Sequence, residues 1–228
     1  MAGCGQKLTQ ADVLKKASEA IDTVDSYSIE STVKMTMTDM EMTMDLSGDI
    51  TKDPQAMYMK MGIAMAGMSM DMETYVLENE AYMSMFGQWV KATPEELELD
   101  GMDQFNKDEI EKLNNFKDYY EMKEEGSNYV LTLKGEGEKF NELVKSFLQQ
   151  TEVTGESEIA DFKVNSLDLV VQIDKKSYAI VSEKVKAELE YEGEVMKMEA
   201  ETKFTNVNKV EPIQVPDDVK ESAVTVEE

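Results

Sequence analysis

Apolar and polar residues alternate with a period of two along most of this chain. Tyr27, Ile29, Val33, Met35 and Met37 alternate with Ser28, Glu30, Thr32, Lys34 and Thr36, which predicts a strand with one buried and one wet face. After Thr38-Asp39, Met40, Met42, Met44, Leu46 and Ile50 resume the pattern, so the two runs read as a hairpin. Asp53-Pro54 turns the chain. Met57, Met59, Met61 and Ile63 follow, then Met68, Met70 and Met72 after Gly67. Thr74 to Leu77, a turn at Glu78-Asn79-Glu80, and Ala81 to Met85 complete a meander of five or six strands. Gly62 to Met68, with small apolar residues and two glycines, reads as a break in strand parity and a hairpin end.

Helical spacing appears in three places. Thr9 is placed as an N-cap with Asp12 in a capping-box position, and Val13, Leu14, Ala17, Ile21 and Val24 form one face of a helix of about four turns. Thr93-Pro94-Glu95-Glu96 is a strong helix start, predicting helical segments to about Phe116 that bury Leu97, Phe105, Ile110 and Leu113. Phe140, Leu143, Val144, Phe147 and Leu148 form a third apolar stripe. Between these, Tyr119–Lys123 and Tyr129–Lys134 flank Gly126-Ser127-Asn128 as a hairpin. Leu167, Leu169, Val171 and Ile173 begin a run of three long strands, with a turn at Asp174–Ser177, a second strand from Tyr178 to Tyr191, and a third carrying Met196, Met198, Ala200 and Phe204. No linker separates the halves, so residues 9–228 read as a single domain behind a short tether, residues 1–8.

Composition excludes several chemistries. The 228 residues carry 48 acids against 23 basic residues, a net charge of −25, with no His. Every basic residue is Lys. Without His or Arg there is no imidazole base or zinc site, and no bidentate clamp for phosphate. Nucleic-acid binding is not expected, because it depends on clustered positive charge. The excess is even, −13 over residues 1–114 and −12 over residues 115–228, as in a solvated, self-repelling surface. No nucleophile motif, phosphate loop or calcium loop is present, so neither an enzyme nor a cofactor is expected. Glu95 and Glu96 are explained as first-turn helix residues.

Ala2-Gly3-Cys4-Gly5 is the most specific local signal. The single Cys4 precedes every periodic segment and has no partner for a disulfide. The segment resembles the end of a bacterial lipoprotein signal peptide, lacking its charged and apolar parts. That resemblance implies a diacylglyceryl thioether on Cys4, holding the chain on the outer face of the cytoplasmic membrane, facing the cell wall.

The element order, with the ending Pro212-Ile213-Gln214-Val215-Pro216-Asp217-Asp218-Val219 and the turn Ile173-Asp174-Lys175-Lys176-Ser177-Tyr178, resembles uncharacterised lipoproteins of Gram-positive bacteria that share the fold of the LolA and LppX/LprG carriers. The resemblance implies an α+β fold: a long curved antiparallel sheet, or half-barrel, with amphipathic helices covering the concave face, sometimes around an acyl chain. Known carriers of that superfamily move lipoproteins or glycolipids.

Of 19 Met, 14 lie between Met35 and Met85, recurring as M-x-M. Three readings follow. The stripe can be a solid structural core built from an unusual residue. It can line an adaptable cavity for a lipid or acyl chain, with Met35, Met37, Met42, Met44, Met59, Met61, Met70, Met72, Met83 and Met85 as lining and Ile63, Met65 and Met68 as an apolar gate at its mouth. Or its thioethers can take up a soft metal, Cu(I), although no particular residues are assigned as metal ligands. A role in absorbing oxidants calls for exposed Met, whereas alternation sends these inward.

Overall fold

The computed structural model describes residues 7–38, 40–96, 107–149, 162–191 and 193–225. Its elements are helix α1 (Gln10–Ile21), strands β1 (Ser26–Met37), β2 (Met40–Lys52), β3 (Gln55–Met65), β4 (Met68–Leu77), β5 (Ala81–Met85) and β6 (Gln88–Ala92), helix α2 (Lys107–Asn115), strands β7 (Tyr120–Glu125) and β8 (Asn128–Gly135), helix α3 (Asn141–Gln149), strands β9 (Lys163–Asp174), β10 (Ile180–Tyr191) and β11 (Glu194–Thr205), helix α4 (Asp217–Ser222) and the short strand β12 (Val224–Thr225). The strands follow one another in the order β12-β6-β5-β4-β3-β2-β1-β11-β10-β9-β8-β7. The meander pairs are antiparallel, and β12 runs parallel to β6. The class is α+β with a long antiparallel sheet, as the resemblance implies. Packing divides the chain into two compact units, residues 1–23 with 104–199 and residues 24–103 with 200–228.

The first unit holds α1, α2 and α3. The Thr9 hydroxyl accepts the Asp12 N–H at 3.2 Å while the Asp12 carboxylate accepts the Thr9 N–H at 2.8 Å, so two of the orphan donors at the start of α1 are satisfied. The Thr9 N–H and the Thr9 hydroxyl both donate to that carboxylate, favour its ionised form and hold the Asp12 pKa below its usual range. The helix ends at Ile21, short of Val24. Val13, Leu14, Ala17 and Ile21 are buried, and α1 packs on α2 and β7. Leu133, Leu169 and Val185 are register partners across β8, β9 and β10. With Leu131, Leu167, Val171, Ile173 and Leu189 they form a core of branched aliphatics, the residues that specify rotamers best. Phe140 lies where a Cβ on Gly135 would stand and stacks on Phe116 at 5.5 Å.

Two expectations are adjusted here. The second strand of the β9–β10 hairpin begins at Ile180 rather than Tyr178, because the Asp174 carboxylate accepts the N–H groups of Lys176 and Ser177 (2.9 and 2.8 Å) and the turn carries Tyr178 into the left-handed region at φ 58°. Leu97 and Phe105 of the expected helical insert lie outside the described residues; Ile110 and Leu113 are buried on α2. The helix start at Thr93 is present as a local motif, with the Thr93 N–H donating to the Glu96 carboxylate at 2.7 Å.

The second unit is the meander β1–β6 with the C-terminal residues. β1 and β2 pair without interruption from Ser26↔Thr51 to Met37↔Met40. The C-terminal segment is tied back to their base. The Asn208 side-chain oxygen accepts the Asp25 N–H at 2.7 Å, and the Asn208 N–H donates to the Ser26 carbonyl at 2.7 Å.

Candidate functional site

Register partners in an antiparallel ladder point to the same side of the sheet. Met35 pairs with Met42, Met42 with Met65, and Met65 with Met68. The next row runs Val33, Met44, Ile63, Met70, and the one below it Leu46, Met61, Met72, Met85. Met57 and Met59 pair with Ile50 and Gly48, Met83 with Thr74, and Met37 with Met40. All fourteen Met between positions 35 and 85 therefore fall on one face of β1–β5. Two of them, Met40 and Met57, belong to this face although the expected lining omits them. The M-x-M spacing had the right phase for both.

Burial on this face is graded. Met35, Met44, Met57 and Met59 are 4–8 % exposed. Met42, Met61, Met70, Met72 and Met83 are half-buried, and Met85 keeps its place in the register. At the far end Met37, Met40, Met65 and Met68 are 46, 53, 38 and 69 % exposed, so the expectation that alternation buries every Met fails there. The reason is geometric: these four flank the turns of two neighbouring hairpins, where the sheet ends. Between the turns lies an open groove of about 850 Å³ lined by Met37, Met40, Met65 and Met68 together with Thr38, Glu41, Thr43, Ala64, Ala66, Gly67 and Ser69.

The segment read as a parity break is no break. Ile63 and Met65 stay in ladder with Met70 and Met68, and the turn is only Ala66-Gly67, both at positive φ (51° and 82°). Ile63 is half-buried within β3, whereas Met65 and Met68 form the exposed tip. A third turn at the same end, Phe86-Gly87, repeats this geometry (φ 52° and 78°) and leaves Phe86 82 % exposed.

The opposite face is not uniformly wet. Tyr58, Tyr75 and Tyr82 are register partners across β3, β4 and β5. Tyr75 lies 4.7 Å from Tyr58 and 5.9 Å from Trp89. Val215 and Val219, the latter on α4, cover Tyr82, Leu77 and Trp89. Lys91 lies 5.2 Å above the Tyr82 ring and 2.6 Å from Glu80, a hydrogen bond that lowers the Glu80 pKa. The Tyr and Trp positions, one step out of phase with the Met, carried this signal.

Cys4 lies outside the described residues. Among the described residues no three His, Cys, Asp or Glu side chains group as metal ligands, and no helix is long and apolar enough to cross a membrane.

The chain is similar to the crystal structure of LprF from Mycobacterium bovis, at 13% identity and a TM-score of 0.49, over 91% of this chain and 96% of that one. It is also similar to that of the Mycobacterium tuberculosis lipoprotein LppX, again at 13% identity, with a TM-score of 0.41 over 91% and 98% of the two chains. A DUF1329 family protein from Desulfovibrio piger aligns at 9% identity and a TM-score of 0.27, over 86% and 90%. A search of curated proteins finds no match. Over residues 9–224 the sequence matches the model of a family of unknown function, DUF6612, and the chain belongs to that family.

Proposed function

We propose that the protein is an extracytoplasmic lipoprotein, anchored through Cys4, that holds an apolar ligand such as an acyl chain against the methionine face of β1–β5. The carrying observation is that face itself: fourteen Met positions in phase on five strands, with side chains that grade from buried at Met35, Met44, Met57 and Met59 to exposed at the hairpin turns. A core built for stability alone favours Leu, Ile and Val, as the first unit shows. Met is unbranched and polarisable and repacks around guests of varied shape. The open end bearing Met37, Met40, Met65 and Met68 is the way in, and the half-buried Met42, Met61, Met70 and Met72 form the seat.

The test is binding of an uncharged fluorescent acyl ester. Met42→Glu and Met70→Glu should each weaken it at least about tenfold, about 1.4 kcal/mol, while the melting temperature stays near the parent's. Met122→Glu, on β7 of the other unit, should leave binding unchanged. A parent protein that binds no probe, or variants that bind as the parent does, would remove this reading.

A further inference from the structure

We infer that the exposed end of the methionine face is a site of reversible oxidation, at which hydroperoxides convert Met37, Met40, Met65 and Met68 to sulfoxides while the buried members of the same face stay reduced. Oxygen transfer needs the oxidant in contact with a sulfur lone pair, and water around it to stabilise the polar S–O bond as it forms. Both conditions hold for side chains 38–69 % exposed and fail for Met35, Met44, Met57 and Met59 at 4–8 %. The four are also grouped. Met37 pairs with Met40 and Met65 with Met68, and all four line one groove, so successive oxidations fall on one small surface. Cys4 is the only cysteine in the chain, which leaves thioethers as its main oxidisable groups.

The step balances simply. The peroxide O–O bond breaks, an S–O bond forms, sulfur loses two electrons, and water or an alcohol departs. A thiol-dependent methionine sulfoxide reductase reverses it, releasing the oxygen as water while two thiols join as a disulfide. Each sulfoxide replaces an apolar edge of the groove with a strong acceptor dipole. The site rests on exposure and grouping, independent of any ligand.

Exposure of the full chain to limiting hydrogen peroxide, followed by peptide mass mapping, tests it. Met37, Met40, Met65 and Met68 should gain one oxygen atom at least about tenfold faster than Met35, Met44, Met57 and Met59. The contrast should vanish in urea, and the two epimer-specific reductases should together restore the reduced masses. Equal rates in the folded chain would overturn the inference. So would a contrast that persists in urea, or sulfoxides that the reductases leave in place. A parent chain that binds no acyl probe would leave this map unchanged, so the two readings fail separately.

Discussion

Gly48 faces Met59 across the β2–β3 ladder, and its missing side chain makes room for the thioether to lie against the sheet. A Cβ there would stand on the Tyr58 carbonyl oxygen and the Met59 sulfur. The carbonyl is backbone and cannot swing aside, so Gly48→Ala should destabilise the protein by about 1–3 kcal/mol through overpacking. Urea unfolding measures this, and an unchanged midpoint would show that the contact relaxes freely. The same packing explains why Met59 is among the most buried of its kind although it faces no large side chain across β2. Nothing in the M-x-M spacing marks Met59 as deeper than Met65. The periodicity reports which face a residue takes, and its distance from the turns decides how much water reaches it.

Among the elements, the three turns at the exposed end share one strained feature. A two-residue hairpin turn with positive φ at both positions is the arrangement that Asn-Gly supplies at little cost. Here Ala66 and Phe86 occupy the first position at φ 51° and 52°. Ala66→Asn should therefore stabilise the protein by about 0.5–1 kcal/mol, and a lower melting temperature on differential scanning calorimetry would contradict that. Elements with strong local signals were legible in the sequence: the Thr9–Asp12 capping box, the β1–β2 hairpin and the helix α3, with Leu143 and Val144 buried. The six-residue α4 was not, since it lies beyond Pro216 and is held by two valines meeting Tyr82 and its neighbours. Its stability comes from tertiary packing rather than from helical propensity.

For the whole molecule, charge is the dominant global term. A net −25 is spread evenly, and ion pairs such as Lys60–Glu73 and Lys186–Glu199 sit on the surface, where solvent and salt screen them and each contributes little. Repulsion among the excess acids outweighs them. Salt should therefore stabilise the fold, since screening shortens the reach of that repulsion to about 8 Å at 0.15 M ionic strength. Going from about 20 mM to about 300 mM sodium chloride should raise the melting temperature by a few degrees, about 1 kcal/mol moving it 2–4 °C in a chain of this length. A fall would mean that the surface pairs outweigh the excess. The sequence also left unread which distant segments pair: β11 neighbours β1, and β12 neighbours β6. Local periodicity carries no information about such pairings.

The boundary between the units falls inside β11, at Glu199 and Ala200, and the first unit is itself assembled from residues 1–23 and 104–199. On a chain emerging from the ribosome, α1 has no α2 to pack on until more than eighty residues later, and the meander waits for residues 200–225 to supply its neighbour strand, the Asn208 tie and the cover over Tyr82. Neither unit can close early. Each unit is therefore completed only once the C-terminal third of the chain is present, so both depend on residues far apart in sequence.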